Sequence, residues 1–411
     1  MISNASASAE IPLRVAHVVP SIAPRTGGPA FSVLVTVLAL NHGGVQAEVF
    51  TTDMGAAASA PRLTRLTAAD VDPRMTYPIH IAHASRPLRF AYAPAMRKEL
   101  GRRANEFDLI HIHSLFLYPQ YAAFRVAREH EIPYVVAPHG ALDPYYRRRG
   151  RIRKAITDCV WQRSMLENAA AFHLTAQREL ELISDLAPKV PRFVVPNPVD
   201  WRNYVDLPDP RTFTGPFLGA RPPSSIIMYL GRISQKKGIP ALIAAFAKVA
   251  PTYPDAGLVI IGPDDEGLTP ELRSTAEHLG VSNRTTFIGH LGDRDKRAAL
   301  AAATIWVLPS ATENFAVAAV EALAAGLPVI VSPGVNISRE LASLGACVVC
   351  EPEPDALAAD IAALLRDPDR RLSLGAAGRQ AARSFSPESV AAQMVRFYES
   401  LLKRTPSGQT T

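Results

Sequence analysis

Residues 310–332 read SATENFAVAAVEALAAGLPVIVS, and this stretch decides the fold. Just before it, Thr304–Pro309 (TIWVLP) has the apolar run and length of a buried strand ending at a turn. Asn314 is a residue type that caps helices, and Gly326 with Pro328 is a stop signal, so a helix is predicted from Asn314 to Ala325. Leu327–Val331 reads as the next strand. Glu313 falls at the loop–helix junction and Glu321 about two turns further on, on nearly the same face. Glu321 is also the only charge between Asn314 and Ser332.

A phosphorylated sugar suits this arrangement. Free backbone N–H groups at Asn314, Phe315, Ala316 and Val317 can hold an anion, as helix N-termini do. Two carboxylates beside an anion cannot bind the phosphate itself, because like charges repel. They are better placed to accept hydrogen bonds from hydroxyl groups on either side, such as those of a hexose and a ribose. The alternative makes Glu313 a helix-start charge favoured by the dipole and Glu321 a solvated surface residue.

A second stretch, Tyr229–Gly238 (YLGRISQKKG), ends a strand at Gly231, projects Arg232 from the turn and sets Lys237 before a glycine that opens a helix. Two cations around a helix N-terminus can neutralise a diphosphate without a metal. The D-x-D strings at Asp293–Asp295 and Asp367–Asp369 read better as a helix N-cap and a turn than as metal ligands. Neither a metal nor a cofactor is therefore expected.

Around these motifs, strand and helix signals alternate along most of the 411 residues. Seven strands are expected between Arg14 and Val195, and six between Ile226 and Cys350. Such alternation of apolar runs means parallel sheets covered on both faces, giving an α/β chain of two Rossmann-like, doubly wound domains. Their ligands belong at the carboxyl ends of the strands, in the cleft between the halves. The expected division is 1–200 for the first domain, 201–223 for a Pro- and Gly-rich linker, 224–385 for the second domain, and 386–411 for a final helix and tail.

Composition narrows the class further. Apolar content is 48% and charged content 20%, which marks a well-cored globular chain. The net charge of +6 is modest and suits an anionic small ligand or membrane surface as well as nucleic acid. The start, MISNASASAE, lacks a secretory pattern, and no apolar run has spanning length, so a cytoplasmic location is expected. Cys347 and Cys350 form C-x2-C in a strand, where core packing is the better reading than a metal site.

In the first half, Gly27 and Gly28 follow the first strand and open a helix, either as a plain tight turn or to let backbone approach a phosphate. They do not form G-x-G-x-x-G, which disfavours a dinucleotide. His111 and His113 share a strand face and read as structural histidines. His139, in APHGALDP (Ala137–Pro144), tips another strand, where it either orients a sugar hydroxyl or bonds to backbone. Arg147–Lys154 (RRRGRIRK) carries six basic residues in eight. Arg147, Arg148, Arg149 and Arg151 are there either a solvated face or a grip on acceptor phosphates or anionic lipid headgroups.

Taken together, these motifs resemble the group 1 family of retaining glycosyltransferases with the GT-B fold, of bacterial polysaccharide-biosynthesis type. The resemblance spans nearly the whole chain and centres on Gly231–Gly238 and on the Glu-x7-Glu pair. It implies that Arg232 and Lys237 bind the donor diphosphate, Glu313 the donor sugar and Glu321 the nucleotide ribose. The glycine pair would lie near the donor phosphates, and His139 near the reacting centre. The family often has Gly where this chain has Ala316, and Gly where it has Pro198. The implied reaction moves a hexosyl group from a UDP-, GDP- or ADP-sugar to a glycan or lipid-linked acceptor, with retention, without a metal and with no nucleic-acid partner. The implied setting is cell-surface polysaccharide (exopolysaccharide) biosynthesis, in the cytoplasm or peripherally on its membrane face. The final helix would cross back to the first domain. Two other readings are an epimerase acting on a nucleotide sugar and a non-catalytic subunit that binds one.

Overall fold

The computed structural model describes residues 12–23, 28–55, 73–147 and 157–403. Gly27, Arg148, Arg149 and Arg151, the N-terminal ten residues and the tail after Lys403 lie outside them. Thirteen strands occur where the apolar runs place them. They are β1 (Arg14–Val18), β2 (Gln46–Thr52), β3 (Ile79–Ala82), β4 (Leu109–His113), β5 (Tyr134–Ala137), β6 (Ala171–Leu174) and β7 (Arg192–Val194) in the first half. In the second they are β8 (Ser225–Leu230), β9 (Ala256–Ile261), β10 (Thr285–Ile288), β11 (Ile305–Leu308), β12 (Val329–Val331) and β13 (Val348–Val349).

Two all-parallel sheets result, ordered β3-β2-β1-β4-β5-β6-β7 and β10-β9-β8-β11-β12-β13. Both follow the same rule: the chain runs outward one way from its first strand, then restarts on the other side of it. The restart leaves a crevice at the carboxyl ends, between β1 and β4 in one sheet and between β8 and β11 in the other. Register brings His17 opposite His111 across the first crevice.

Helices cover both faces because every central strand is buried on both. One face of the first sheet packs under Met96, Leu100 and Phe124. Its other face is closed by Val33, Val37 and Leu40 of the Gly28–His42 helix together with Val390, Met394, Phe397 and Tyr398. Those last four belong to the Pro387–Leu402 helix, which begins beyond the second lobe and returns to the first. It is started by Ser386, whose hydroxyl accepts from the Ser389 N–H.

Three local expectations are corrected. The 201–223 stretch is more than a linker: Arg211–Leu218 is helical and Phe213 and Tyr204 are buried in the second core. Pro210 and Gly219, which suggested a linker, are the two ends of that helix. Asp293 is the first residue of its helix and not the cap, which is Gly292. Asp367, read as a turn, instead caps the Pro368–Ala382 helix by accepting from the Arg370 N–H at 2.9 Å.

Met394 is 1% exposed on the returning helix, against the first sheet. Met394→Ala should therefore destabilise the protein by about 2–5 kcal/mol, read as a lower urea midpoint. A loss under about 1 kcal/mol would show that the returning helix contributes little to that core.

Candidate functional site in the interlobe cleft

The carboxyl ends of the two sheets face each other across a cleft of about 1560 Å³. The loops after β8 and β11, at the second crevice, bring Arg232, Lys236, Lys237 and Glu313 to it. They pass so close that glycine is required: a Cβ on Gly238 (φ 68°) would lie 2.1 Å from the Pro309 carbonyl oxygen. A Cβ on Gly262, after β9, would lie 1.9 Å from the Gly231 oxygen. Ala311 N–H donates to the Lys236 carbonyl at 2.7 Å, which ties the two crevice loops together.

Lys237, 8% exposed, forms a hydrogen-bonded ion pair with Glu313 across these loops. Lys236 Nζ lies 3.5 Å from the same carboxylate and 5.3 Å from the centre of the Tyr146 ring. Burial pushes the Glu313 carboxyl up, but Lys237 and then Lys236 outweigh it and hold its pKa at about 2. Burial pulls the Lys237 ammonium below the usual lysine range despite Glu313. The asymmetry has a simple cause: one carboxylate faces several cations, whereas Lys237 is repelled by Lys236 and Arg232. Arg232 remains half-exposed at the cleft wall, 3.9 Å from Asp265.

The helix after β11 starts later than its sequence suggests. It runs Val317–Ala325, and its N-cap is Ala316, not Asn314. Phe315 is responsible: it is buried in the second core, edge-on to Phe385 at 5.5 Å between ring centres. Ala316 then has to turn through the left-handed region (φ 63°, ψ 64°) to enter the helix. That conformation is one in which glycine is unstrained, so Ala316 carries backbone strain. The Ala319 N–H donates to the Ala316 carbonyl at 2.9 Å, while Val317 and Ala318, whose amides precede the first intrahelical acceptor, line the cleft.

Asn314, released from capping, reaches the other lobe and donates to Thr175 Oγ1 at 2.8 Å. Thr312 Oγ1 donates to the Asp143 carboxylate at 3.0 Å. Gly140 (φ 79°) sits where a Cβ would come 2.9 Å from that of Asn314. Beneath Gly140 the buried Glu179 accepts from the Gly140 and Thr175 N–H groups, each at 2.8 Å, while burial raises its pKa. Glu179 thus braces the loop carrying His139. His139, also left-handed (φ 50°), lines the cleft and is hydrogen-bonded to His113 at 3.0 Å.

Glu321 is 7% exposed and bonded to Lys296 Nζ at 2.8 Å, so it is neither solvated nor unpaired. The Tyr204 hydroxyl neighbours it, and burial with that charge raises the tyrosine pKa.

Two family models match the chain, one described as glycosyl transferases group 1 over residues 215–381 and one as a glycosyl transferase 4-like domain over residues 27–198. The chain belongs to the group 1 glycosyltransferases. Among its relatives is a phosphatidyl-myo-inositol mannosyltransferase of Mycobacterium leprae, 28% identical over 361 residues, or 81% of this chain and 87% of that one. A D-inositol 3-phosphate glycosyltransferase of Segniliparus rotundus is 32% identical over 189 residues; that match spans 45% of this chain and 42% of its relative. Sucrose-phosphate synthase from Thermosynechococcus elongatus superposes with a TM-score of 0.76 at 21% identity, covering 96% of this chain and all of that one. Anabaena HepE in complex with UDP-glucose gives 0.74 at 19% identity, covering 94% of this chain and all of HepE. The fold is therefore GT-B.

This glycosyltransferase gathers Gly28, His139, Arg232, Lys237, Glu313, Phe315, Ala316, Val317 and Glu321 around one cleft, with Asn314 at its interlobe edge. Arg147 pairs with Asp185 at 2.8 Å. Cys347 and Cys350 are buried thiols whose pKa values burial raises to about 12. Lys296, Tyr146 and Glu179 escaped the sequence reading, being common residue types outside any motif spacing, and Lys236 lay inside the Tyr229–Gly238 motif without being given a role. His17 escaped it too. It completes a buried trio with His111 and His113, their ring nitrogens within 4.8 Å of one another.

The Glu313 pKa sits below its ordinary value, so the stability this carboxylate confers is complete above about pH 5 and lost as pH falls toward 2. Glu313→Gln should melt below wild type at pH 7, with the gap narrowing as pH drops through that window. A gap unchanged between pH 5 and pH 2, followed by circular dichroism, would remove the buried ion pair as its cause.

Proposed function

We propose that the protein transfers a hexosyl group from a nucleotide-diphosphate sugar to a hydroxyl of a glycan or lipid-linked acceptor, retaining the anomeric configuration. The observation that carries this reading is the Lys237–Glu313 pair beneath the Val317–Ala325 N-terminus, at the crevice between β8 and β11. Cations and open amides there meet an anion, and the carboxylates beside it meet hydroxyl groups. The solved complex of HepE with UDP-glucose supports a nucleotide-sugar donor. The names of the inositol-directed relatives favour an acceptor with an inositol-phosphate or glycolipid character.

In this reading Arg232 and Lys237 hold the diphosphate, Glu313 the sugar, and Glu321 with Lys296 the ribose. As the bond from the anomeric carbon to the phosphate oxygen breaks, its electron pair stays on the diphosphate. Arg232, Lys237 and the first-turn amides stabilise that growing charge. The acceptor oxygen attacks the same face and passes its proton to the leaving phosphate, so neither a metal nor a carboxylate nucleophile is needed. Glu313 and Glu321 are each already held by a lysine, which suits orientation better than nucleophilic attack. Cell-surface polysaccharide or glycolipid synthesis, at the cytoplasmic membrane face, is the setting such acceptors suggest. Among the described residues no helix is long and apolar enough to cross a membrane.

Arg232→Ala and Lys237→Ala should each lower kcat/KM about 10- to 1,000-fold. Glu321→Gln should weaken free nucleoside diphosphate by about 1–3 kcal/mol, whereas Glu313→Gln should slow transfer and leave that affinity nearly intact. The measurements are initial rates and calorimetric titration with a panel of nucleotide sugars. Donor consumption without any acceptor would favour an epimerase, and wild-type rates in both cation variants would sink the diphosphate assignment.

A further inference from the structure

A series of hydrogen-bonded rings leads from the cleft through the first sheet to the returning helix. His139 Nε2 and His113 Nδ1 are 3.0 Å apart, and His113 Nε2 and His17 Nδ1 are also 3.0 Å apart. His17 Nε2 lies 3.5 Å from the Tyr398 hydroxyl, which lies 2.7 Å from His111 Nδ1. His111 Nε2 then meets His173 Nδ1 at 3.3 Å, and His173 Nε2 meets the Val195 carbonyl at 2.8 Å. His17, His111, His113, His173 and Tyr398 are all at most 5% exposed. Burial lowers the pKa of every imidazole in the series, to about 3 for His17 and His139 and about 4 for His173. All five are thus neutral at pH 7, with one proton each.

One end of the series determines every proton in it. A carbonyl only accepts, so His173 must donate through Nε2, which leaves its Nδ1 bare. His111 therefore donates through Nε2 and accepts at Nδ1 from the tyrosine hydroxyl. The tyrosine oxygen accepts from His17 Nε2–H, His17 Nδ1 accepts from His113 Nε2–H, and His113 Nδ1 accepts from His139 Nε2–H. What remains is a lone pair on His139 Nδ1, an atom covered in this conformation and without a hydrogen-bond partner.

We propose that this series fixes His139 in its Nε2–H tautomer, which makes Tyr398 of the returning helix a positioning residue for the cleft. His139 can then receive a hydroxyl hydrogen bond or a proton through Nδ1 but cannot donate through that atom. A phosphate oxygen is repelled there and an O–H group is taken. Removing the tyrosine oxygen cuts the anchor: His17, His113 and His139 can reverse together, and the His139 tautomer becomes mixed.

The test uses the full chain with 15N-labelled histidine at pH 7, where ring-nitrogen shifts report the tautomer and His139→Gln assigns the resonances. Wild type should show His139 protonated on Nε2 alone, and Tyr398→Phe a mixture. The inference uses the glycosyl-transfer reading only for its kinetic arm, in which Tyr398→Phe lowers kcat about 3- to 10-fold with the donor KM nearly unchanged. Phe397→Leu, which loosens the same helix against Phe193 and neighbours His173 and Tyr398 through its ring alone, removes no hydrogen bond of the series and should leave tautomer and kcat as they are. A proton on His139 Nδ1 in wild type, an unaltered tautomer in Tyr398→Phe, or the same mixture in Phe397→Leu would each overturn it. Absence of any transfer by wild type would count against the enzymatic reading and leave the spectroscopic result standing.

Discussion

The ion pair of Lys237 with Glu313 is the constraint to which the rest of the site conforms. A buried charge is costly to leave alone, so each partner obliges the backbone that bears it to stay within reach of the other. The loop after β8 and the loop after β11 are thereby drawn to one point, which requires a glycine at 238 where the chains touch. Around that point the sheet supplies its crevice and the following helix its open amides. In the proposed reaction this arrangement, fixed by the protein's own contacts, would meet the growing charge of the diphosphate with little reorganisation.

Most of the architecture was legible in the sequence because its signals are local. Apolar runs separated by amphipathic stretches marked all thirteen strands, while Gly231 and Gly238 marked one of the two loops that make the site and the Glu313–Glu321 spacing marked the other. What stayed hidden depends on tertiary contact. Nothing in residues 313–317 announces that burial of Phe315 outweighs the capping preference of Asn314 and shifts the helix start by two residues. The helix at 211–218 was masked by its own end signals, a proline and a glycine. Glu179, Lys296 and His17 lie far in sequence from the groups they serve, and no spacing rule links a histidine on β1 to two on β4.

Two of the strained positions lie in the same place. His139, Ala316 and Gly140 all have left-handed backbone where the lobes meet, and Asn314 crosses between them. Strain of this type persists only where the surroundings over-determine it. Here the surroundings are the braced loop over Glu179 on one side and the buried Phe315 on the other. Asn314 with Thr175 and Thr312 with Asp143 join the lobes beside these positions.

The returning helix has a consequence for how the chain is made. One face of the first sheet is closed by residues 390–401, which are synthesised after the whole second lobe. On a ribosome the first lobe therefore emerges with this apolar face covered in part by its own Gly28–His42 helix and open where the returning helix packs. It must wait, exposed, through the synthesis of roughly half the chain, a condition that invites aggregation and chaperone capture. The second lobe has its principal core within residues 199–385, apart from an alanine from the first, and can consolidate while the chain is still growing. The lobe synthesised last is thus the first whose core is complete on the nascent chain.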